Sequence, residues 1–375
     1  MSNQHSYLLL TAAMWIGLGL FASILSNVTA TSVALSEILV GAAIANTFGL
    51  HSAPWIDYLA GFGAIALAFL SGAEIRISAA WTRAWVTLTI GIASFAAPFV
   101  GVFLFTTIFA GWTAWQALIA AIALSTTSVA LVYAIVLERG QSESQVGQTV
   151  LAARFVNDIG TIAALIIVTA AIDYRLLSLL CGTLIFALAI PAVAPWCVRS
   201  ERTTSEADVR FLVLVLLLIG GLAEFSNVEA VVPAYIVGVS LSPTLQNHEA
   251  TVKKLRTLAF SCLTPFYFLR AGSLVDLSQW QDIAAMSAIL LTIKIATKCA
   301  SIVPLTYAFK MQTSDGWSVA LLMSTGLTFG TITASVGLAH GIINRRQYAA
   351  LVIAVIVSGA FPAFIADRIL KSRSS

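Results

Sequence analysis

The sequence predicts an all-α polytopic membrane protein with about 13 transmembrane helices. Three observations predict it. Hydrophobic residues make up 59% of the 375 and charged residues only 10%, where a soluble domain carries about 25% charged residues. Apolar runs of about 20 residues, long enough to cross the hydrocarbon, follow one another between charged or turn-rich breaks. Two of those runs carry hydroxyl and glycine clusters at their centres, in corresponding places of the two halves.

The runs lie near 7–26, 30–48, 55–73, 84–109, 113–137, 146–171, 174–198, 208–226, 228–243, 255–274, 281–308, 315–339 and 347–369. The first follows an N-terminus without a basic region or a small-residue cleavage site, so it reads as a retained span rather than a signal peptide. The fifth is centred on Ser125-Thr126-Thr127-Ser128 and the twelfth on Ser324-Thr325-Gly326-Leu327-Thr328. Backbone leaves the helix at such clusters only where it faces protein or a water-filled cavity. Half-helix ends then aim partial charges at the gap. Spans 1–6 and 8–13 thus read as two six-helix repeats, inverted because span seven intervenes. Gly41 and Gly238, near the ends of spans two and nine, fit the same symmetry.

Basic residues set the expected orientation. With the N-terminus outside, thirteen of the twenty Lys and Arg fall in inside loops and three, Arg175, Arg345 and Arg346, in outside loops. Arg154, Arg270, Lys294 and Lys298 remain at membrane depth. This predicts N-out, C-in and an odd number of spans. The net charge of +3 gives no case for nucleic acid. The polar loops near 199–210 and 244–256 are too short for a soluble regulatory domain, and no Walker A motif is present to use ATP. Four scattered cysteines and four histidines form no metal-ligand cluster, so no cofactor or resident metal is expected.

The chemistry concentrates at Asn157-Asp158, inside Ala152-Ala153-Arg154-Phe155-Val156-Asn157-Asp158-Ile159-Gly160. A carboxylate at that depth is expensive and marks an ion or proton path. It holds a monovalent cation or a proton, and the two compete. Asn157 offers an amide oxygen but carries no second proton, which predicts one proton per cation. Lys294 and Lys298, one turn apart on one face, are candidate charge partners, with Lys298 expected to approach Asp158. Arg154, four residues before Asp158, is placed for an intrahelical pair and keeps its charge, so it reads as structural. Glu37 and Glu74 are expected near span ends, Glu74 as an interfacial residue, and Glu229 at the start of a span.

Taken together, these residues resemble the monovalent cation:proton antiporter-2 family, which includes bacterial Na+/H+ antiporters and the membrane domains of Kef-type K+/H+ systems. The resemblance is carried by the stretch from Ala123 to Ile167, with its Ser/Thr cluster, Leu137-Glu138-Arg139-Gly140, Gly147 and Asn157-Asp158. Phe69 to Glu74, Pro265 to Gly272, Lys298 and Met323 to Gly330 add to it in the expected order. The resemblance implies an NhaA-like fold with two crossing broken helices, usually a homodimer. It implies a dimerisation part near 1–76 and 208–274, and a core near 84–171 and 281–370 that moves as an elevator. It places Thr126, Thr127, Asn157 and Asp158 at the ion site and Ser324, Thr325 and Thr328 in the second broken helix. Two departures stand out. Electrogenic relatives have Asp-Asp where this chain has Asn-Asp, and the separate plasma-membrane Asn-Asp exchangers have a Glu where this chain has Ala153.

The expected activity is electroneutral exchange of Na+ or K+ for H+ in a bacterial inner membrane, serving pH and cation homeostasis, without enzyme chemistry. The oxygen ligands suit Na+, K+ and Li+ alike. The rival readings are a sodium-coupled organic-anion symporter on a related fold and a K+ efflux pathway lacking its regulatory domain. A channel filter such as T-V-G-Y-G is missing.

Overall fold

The computed structural model describes residues 2–29, 33–48, 53–73, 84–128, 132, 144–172, 182–184, 187–194, 206–225, 230–275 and 280–371. Glu74, Glu229 and the loop 137–140, singled out above, lie outside them. The described residues are almost entirely helical. Among the described residues, seven segments are long and apolar enough to cross a membrane, and shorter apolar helices accompany them. Large apolar side chains such as Leu9, Phe21, Trp85 and Ile167 stay exposed. Lipid is the solvent that suits such a surface, and the chain is a multi-pass integral membrane protein.

The chain divides into two compact units, 1–75 with 170–274, and 76–169 with 275–375. The first unit holds α1 (Ser2–Thr29), α2 (Val33–Phe48) and α3 (Pro54–Ala73). α4 (Ala84–Ile108), α5 (Ala114–Ser125) and most of α6 (Gln145–Ile172) belong to the second. α7 (Ala207–Phe225), α8 (Val231–Gln246), α9 (Glu249–Leu258) and α10 (Thr264–Ser273) return to the first. The second closes with α11 (Trp280–Ala308), α12 (Thr313–Ser324), α13 (Thr328–Ala339) and α14 (Arg345–Lys371).

Glycines set the packing of the first unit. A Cβ on Gly41 of α2 would stand 2.1 Å from the Leu269 carbonyl of α10, and one on Gly272 of α10 would stand 2.0 Å from that of Ile38. The same arrangement recurs between α3 and α8. There Gly72 meets the Tyr235 carbonyl at 2.4 Å, and Gly238 meets that of Phe69 at 2.2 Å. Each helix pair touches backbone to backbone through reciprocal glycines, so only hydrogen fits at those positions. α2 pairs with α10 as α8 pairs with α3, the reciprocal pattern that two structural repeats produce.

The tenth predicted span is not one uninterrupted α-helix. α9 ends at Leu258, a single π turn covers Ala259–Leu263, and α10 restarts with Pro265 in its first turn. Proline lacks the N–H that a continuing helix needs, and it suits a helix start. Arg270, which the sequence left without a role, pairs with Asp57 of α3 inside this unit. Glu37, expected near a span end, is 2% exposed within α2.

In the second unit α4 packs on α5 and α11, α11 on α12 and α14, and α13 on α5 and α14. Both predicted breaks occur here, and the predicted second half of the first, within 129–137, lies outside the described residues apart from Val132. α5 and α12 each run twelve residues and end in extended backbone, at Thr126 (ψ 155°) and Thr325 (ψ 141°). α5 starts sharply, with Thr113 and Gln116 forming a capping box. α13 resumes the second broken helix after Gly326 and Leu327.

Candidate functional site

The hydroxyls at each break turn back onto their own helix. Ser125 donates to Ala121 and Thr126 to Ala123 in α5. Ser324 donates to Ala320 and Thr325 to Leu322 in α12. Such bonds offer the carbonyls an alternative to the helical ladder and help it end. They also account for two of the hydroxyl positions predicted on each side. Thr328 opens α13, and its carbonyl accepts from Thr331.

The two breaks are bonded to each other. The Ser128 N–H donates to the Thr325 carbonyl at 2.9 Å, and the Thr127 hydroxyl donates to the Met323 carbonyl at 2.9 Å. C-terminal carbonyls of two half-helices therefore converge, which concentrates partial negative charge. Lys298, from α11, answers it. Its Nζ donates to the Met323 carbonyl at 2.6 Å, to Thr127 Oγ1 at 3.0 Å and to the Thr126 carbonyl at 3.2 Å. All three ammonium protons are used on this crossing.

Asn157 and Asp158 stand beside the crossing on α6, at 0% and 1% exposure. Asn157 Nδ2 donates to the Ser125 carbonyl at 3.0 Å, at the end of α5, and to Ser94 Oγ of α4 at 3.2 Å. That leaves its Oδ1 without a donor among the described residues. Asp158 Oδ2 accepts from Arg154 Nη2 at 2.9 Å, and its Oδ1 likewise has no donor. Adjacent side chains thus present two unsatisfied buried oxygens, a polarity that suits a cation or a proton. α4 comes close to α6 because Gly91 faces Val156 and the Ala153 carbonyl, where a Cβ would stand 2.5 and 2.6 Å away.

Of the two partners the sequence offers Asp158, the structure pairs it with Arg154, as the four-residue spacing allows, and not with Lys298. The reason is local: Arg154 sits one turn away on the same face of α6, while the crossing occupies every proton of Lys298. Lys294 takes a third position. Wholly buried, it donates to Ser358 of α14 at 2.9 Å, and Ser358 passes its own proton to the Val355 carbonyl. Gly326 makes room for it, since a Cβ there would lie 2.2 Å from Nζ.

Ser94 and Ser358 escaped the sequence reading. Each is a lone hydroxyl in an apolar run, and ordinary helix packing explains most such residues. No sequence signal marks either one, because the helix each faces is set by packing. Among the described residues, no group of three His, Cys, Asp or Glu is placed to hold a metal.

The profile of the sodium/hydrogen exchanger transmembrane family matches residues 8–371. The chain belongs to the sodium/hydrogen exchanger family. As an exchanger-family protein it is 21% identical over 354 residues to a probable Na+/H+ antiporter 3 of Methanocaldococcus jannaschii, covering 91% of each chain. It is 23% identical to an Na+/H+ antiporter of Enterococcus hirae, covering 86% of this chain and 88% of that one. Cation/H+ antiporter 18 of Arabidopsis thaliana is 24% identical across 80% of this chain, which spans 39% of the plant protein. The fold resembles that of the sodium proton antiporter MjNhaP1 of M. jannaschii, with a TM-score of 0.73, 14% identity and 99% of each chain covered.

Proposed function

We propose that this exchanger-family protein is a monovalent cation:proton antiporter in which Asp158 binds cation and proton in turn. The observation that carries the reading is the pair of buried oxygens, Asn157 Oδ1 and Asp158 Oδ1, left without donors beside the helix crossing. A carboxylate binds a proton covalently or a cation electrostatically, and either one satisfies the same oxygen. Asn157 contributes an amide oxygen and no second titrating group. Asp158 is the one buried carboxylate of its unit among the described residues, so exchange is one for one and electroneutral. Lys298 is the fixed charge that keeps the two half-helix ends together while the ion site fills and empties. Thr126 and Thr127 shape the near side of the crossing; Ser324, Thr325 and Thr328 shape the far side.

Na+ is the favoured cation, because relatives along the chain are named Na+/H+ antiporters. K+ is the alternative, since oxygen ligands accept both. The unit holding α4–α6 and α11–α14 carries the site and moves as an elevator. The other unit, with its glycine-locked helix pairs, serves as the scaffold and the homodimer contact. The protein then works in the bacterial inner membrane, N-terminus outside and C-terminus inside, in pH and cation homeostasis.

The test is dequenching of a pH-sensitive dye in proteoliposomes on addition of Na+, K+ or Li+. Wild type should dissipate the pH gradient and Asp158→Asn should not. Undiminished exchange in the variant would sink the mechanism.

A further inference from the structure

Among the described residues of the second unit, three buried cations, Arg154, Lys294 and Lys298, accompany one buried carboxylate, Asp158, and they are committed to different degrees. Lys298 spends its three protons on the crossing. Lys294 is bonded to Ser358 and touches no carboxylate. Arg154 alone reaches Asp158, and it does so loosely. One nitrogen, Nη2, meets one oxygen, Oδ2, while Nε has no acceptor. The strongest arginine–carboxylate pairs use the two-pronged fork, with two parallel bonds. Here the contact is single, and the other carboxylate oxygen is left open.

We propose that Arg154 is a tethered competitor for the transported cation: it holds Asp158 when no cation is bound and gives way when one binds. Arg154 is then a positioning residue that sets how much cation the exchanger needs. The inference rests on Asp158 being the exchanging carboxylate, as proposed above.

Charge balance favours the release. An incoming cation would otherwise stand beside a carboxylate already paired with a guanidinium, in a low-dielectric interior where like charges repel strongly. Of the two cations beside the ion site, Arg154 is cheaper to move than Lys298, which would give up three bonds. One hydrogen bond breaks, and no bond of the helix crossing is disturbed. It shares α6 with Asp158, so a side-chain rotation suffices and no helix has to shift. Its side chain keeps 8% exposure, where both lysines have none. The guanidinium also keeps its proton throughout. Arg154 therefore changes the apparent affinity and leaves the proton count at one.

The measurement is the Na+ dependence of exchange in proteoliposomes at alkaline pH, where proton competition is weakest, for wild type, Arg154→Gln and Arg154→Lys. Losing a charge-assisted hydrogen bond to the site should lower the KM for Na+ by about tenfold in the Gln variant. The Lys variant keeps the charge and should lower it by a smaller factor. An unchanged or raised KM with a lower maximal rate would mean that Arg154 only supports the fold, and would overturn the proposal. If the Gln variant does not purify as a single species, the Lys variant decides: a wild-type KM overturns the proposal. Asp158→Asn, run alongside, separates the two ideas. Exchange in that variant defeats the carboxylate reading itself. Its silence, with wild-type KM in the Arg154 variants, defeats only the competitor.

Discussion

The backbone N–H of Ser128 donates to the Thr325 carbonyl at 2.9 Å, joining the break after α5 to the break after α12. Thr127 reinforces this joint from the side: its hydroxyl donates to Met323 and accepts from Lys298. Replacing Thr127 by Val keeps the shape and removes both bonds. A buried polar group left unpaired costs about 1–3 kcal/mol. Thr127→Val is expected to melt several degrees lower in detergent, and an unchanged melting temperature would show that the crossing does not depend on this hydroxyl.

The two lysines of α11 should respond in opposite directions. Lys298 serves three acceptors at two half-helix ends, so Lys298→Met leaves carbonyls unpaired and is expected to lower stability by about 2 kcal/mol or more. Lys294 has one hydroxyl partner and no carboxylate. Removing a buried charge that is poorly compensated is often stabilising. Lys294→Met is expected to match or exceed the wild-type melting temperature. A steep loss there, measured by tryptophan fluorescence, would mean that Lys294 meets a counter-charge during folding.

Asn157 has separate roles on its two amide atoms. Nδ2 ties α6 to α4 and to the end of α5, while Oδ1 is open. On the proposal that Oδ1 ligates the cation, Asn157→Ala is expected to raise the KM for Na+ by about tenfold, the size of one lost ligand bond to a charged group. The same dye assay checks it, and a KM equal to wild type would remove Asn157 from the ion site.

Reciprocal glycines make a prediction about the first unit. An alanine at Gly41 or Gly238 would place its Cβ 2.1 or 2.2 Å from a carbonyl oxygen of the facing helix. The helices must separate, at a cost of about 1–3 kcal/mol per site. Each variant should lose thermal stability by a similar amount, because the two contacts are equivalent. A loss confined to one of them would contradict the repeat symmetry drawn from α2–α10 and α8–α3.

Much of this architecture was legible in the sequence, because a bilayer leaves few solutions for an apolar chain. The hydroxyl clusters announced both breaks, and the structure ends α5 and α12 within those clusters, at Ser125 and Ser324. Asn157-Asp158 stood out because charge at that depth needs a reason. Other features depended on where side chains meet. Nothing in the spacing of Lys294 and Lys298 says which one caps the crossing, since both share a face and a turn. Arg154 was readable as a neighbour of Asp158 through the four-residue spacing. Its precedence over Lys298 became visible only with the geometry, because the competing acceptors of Lys298 come from α12 and from the break after α5. The π turn before α10 was also hidden, as Pro265 explains a helix start but not the extra residue before it.

The central claim is that one carboxylate trades a proton for a cation. Its most direct test is proton release on adding Na+ to purified protein in weakly buffered detergent solution, followed by a pH indicator. The account predicts about one proton released per protein at saturating Na+, and none from Asp158→Asn. Proton release from Asp158→Asn equal to that of wild type would contradict it.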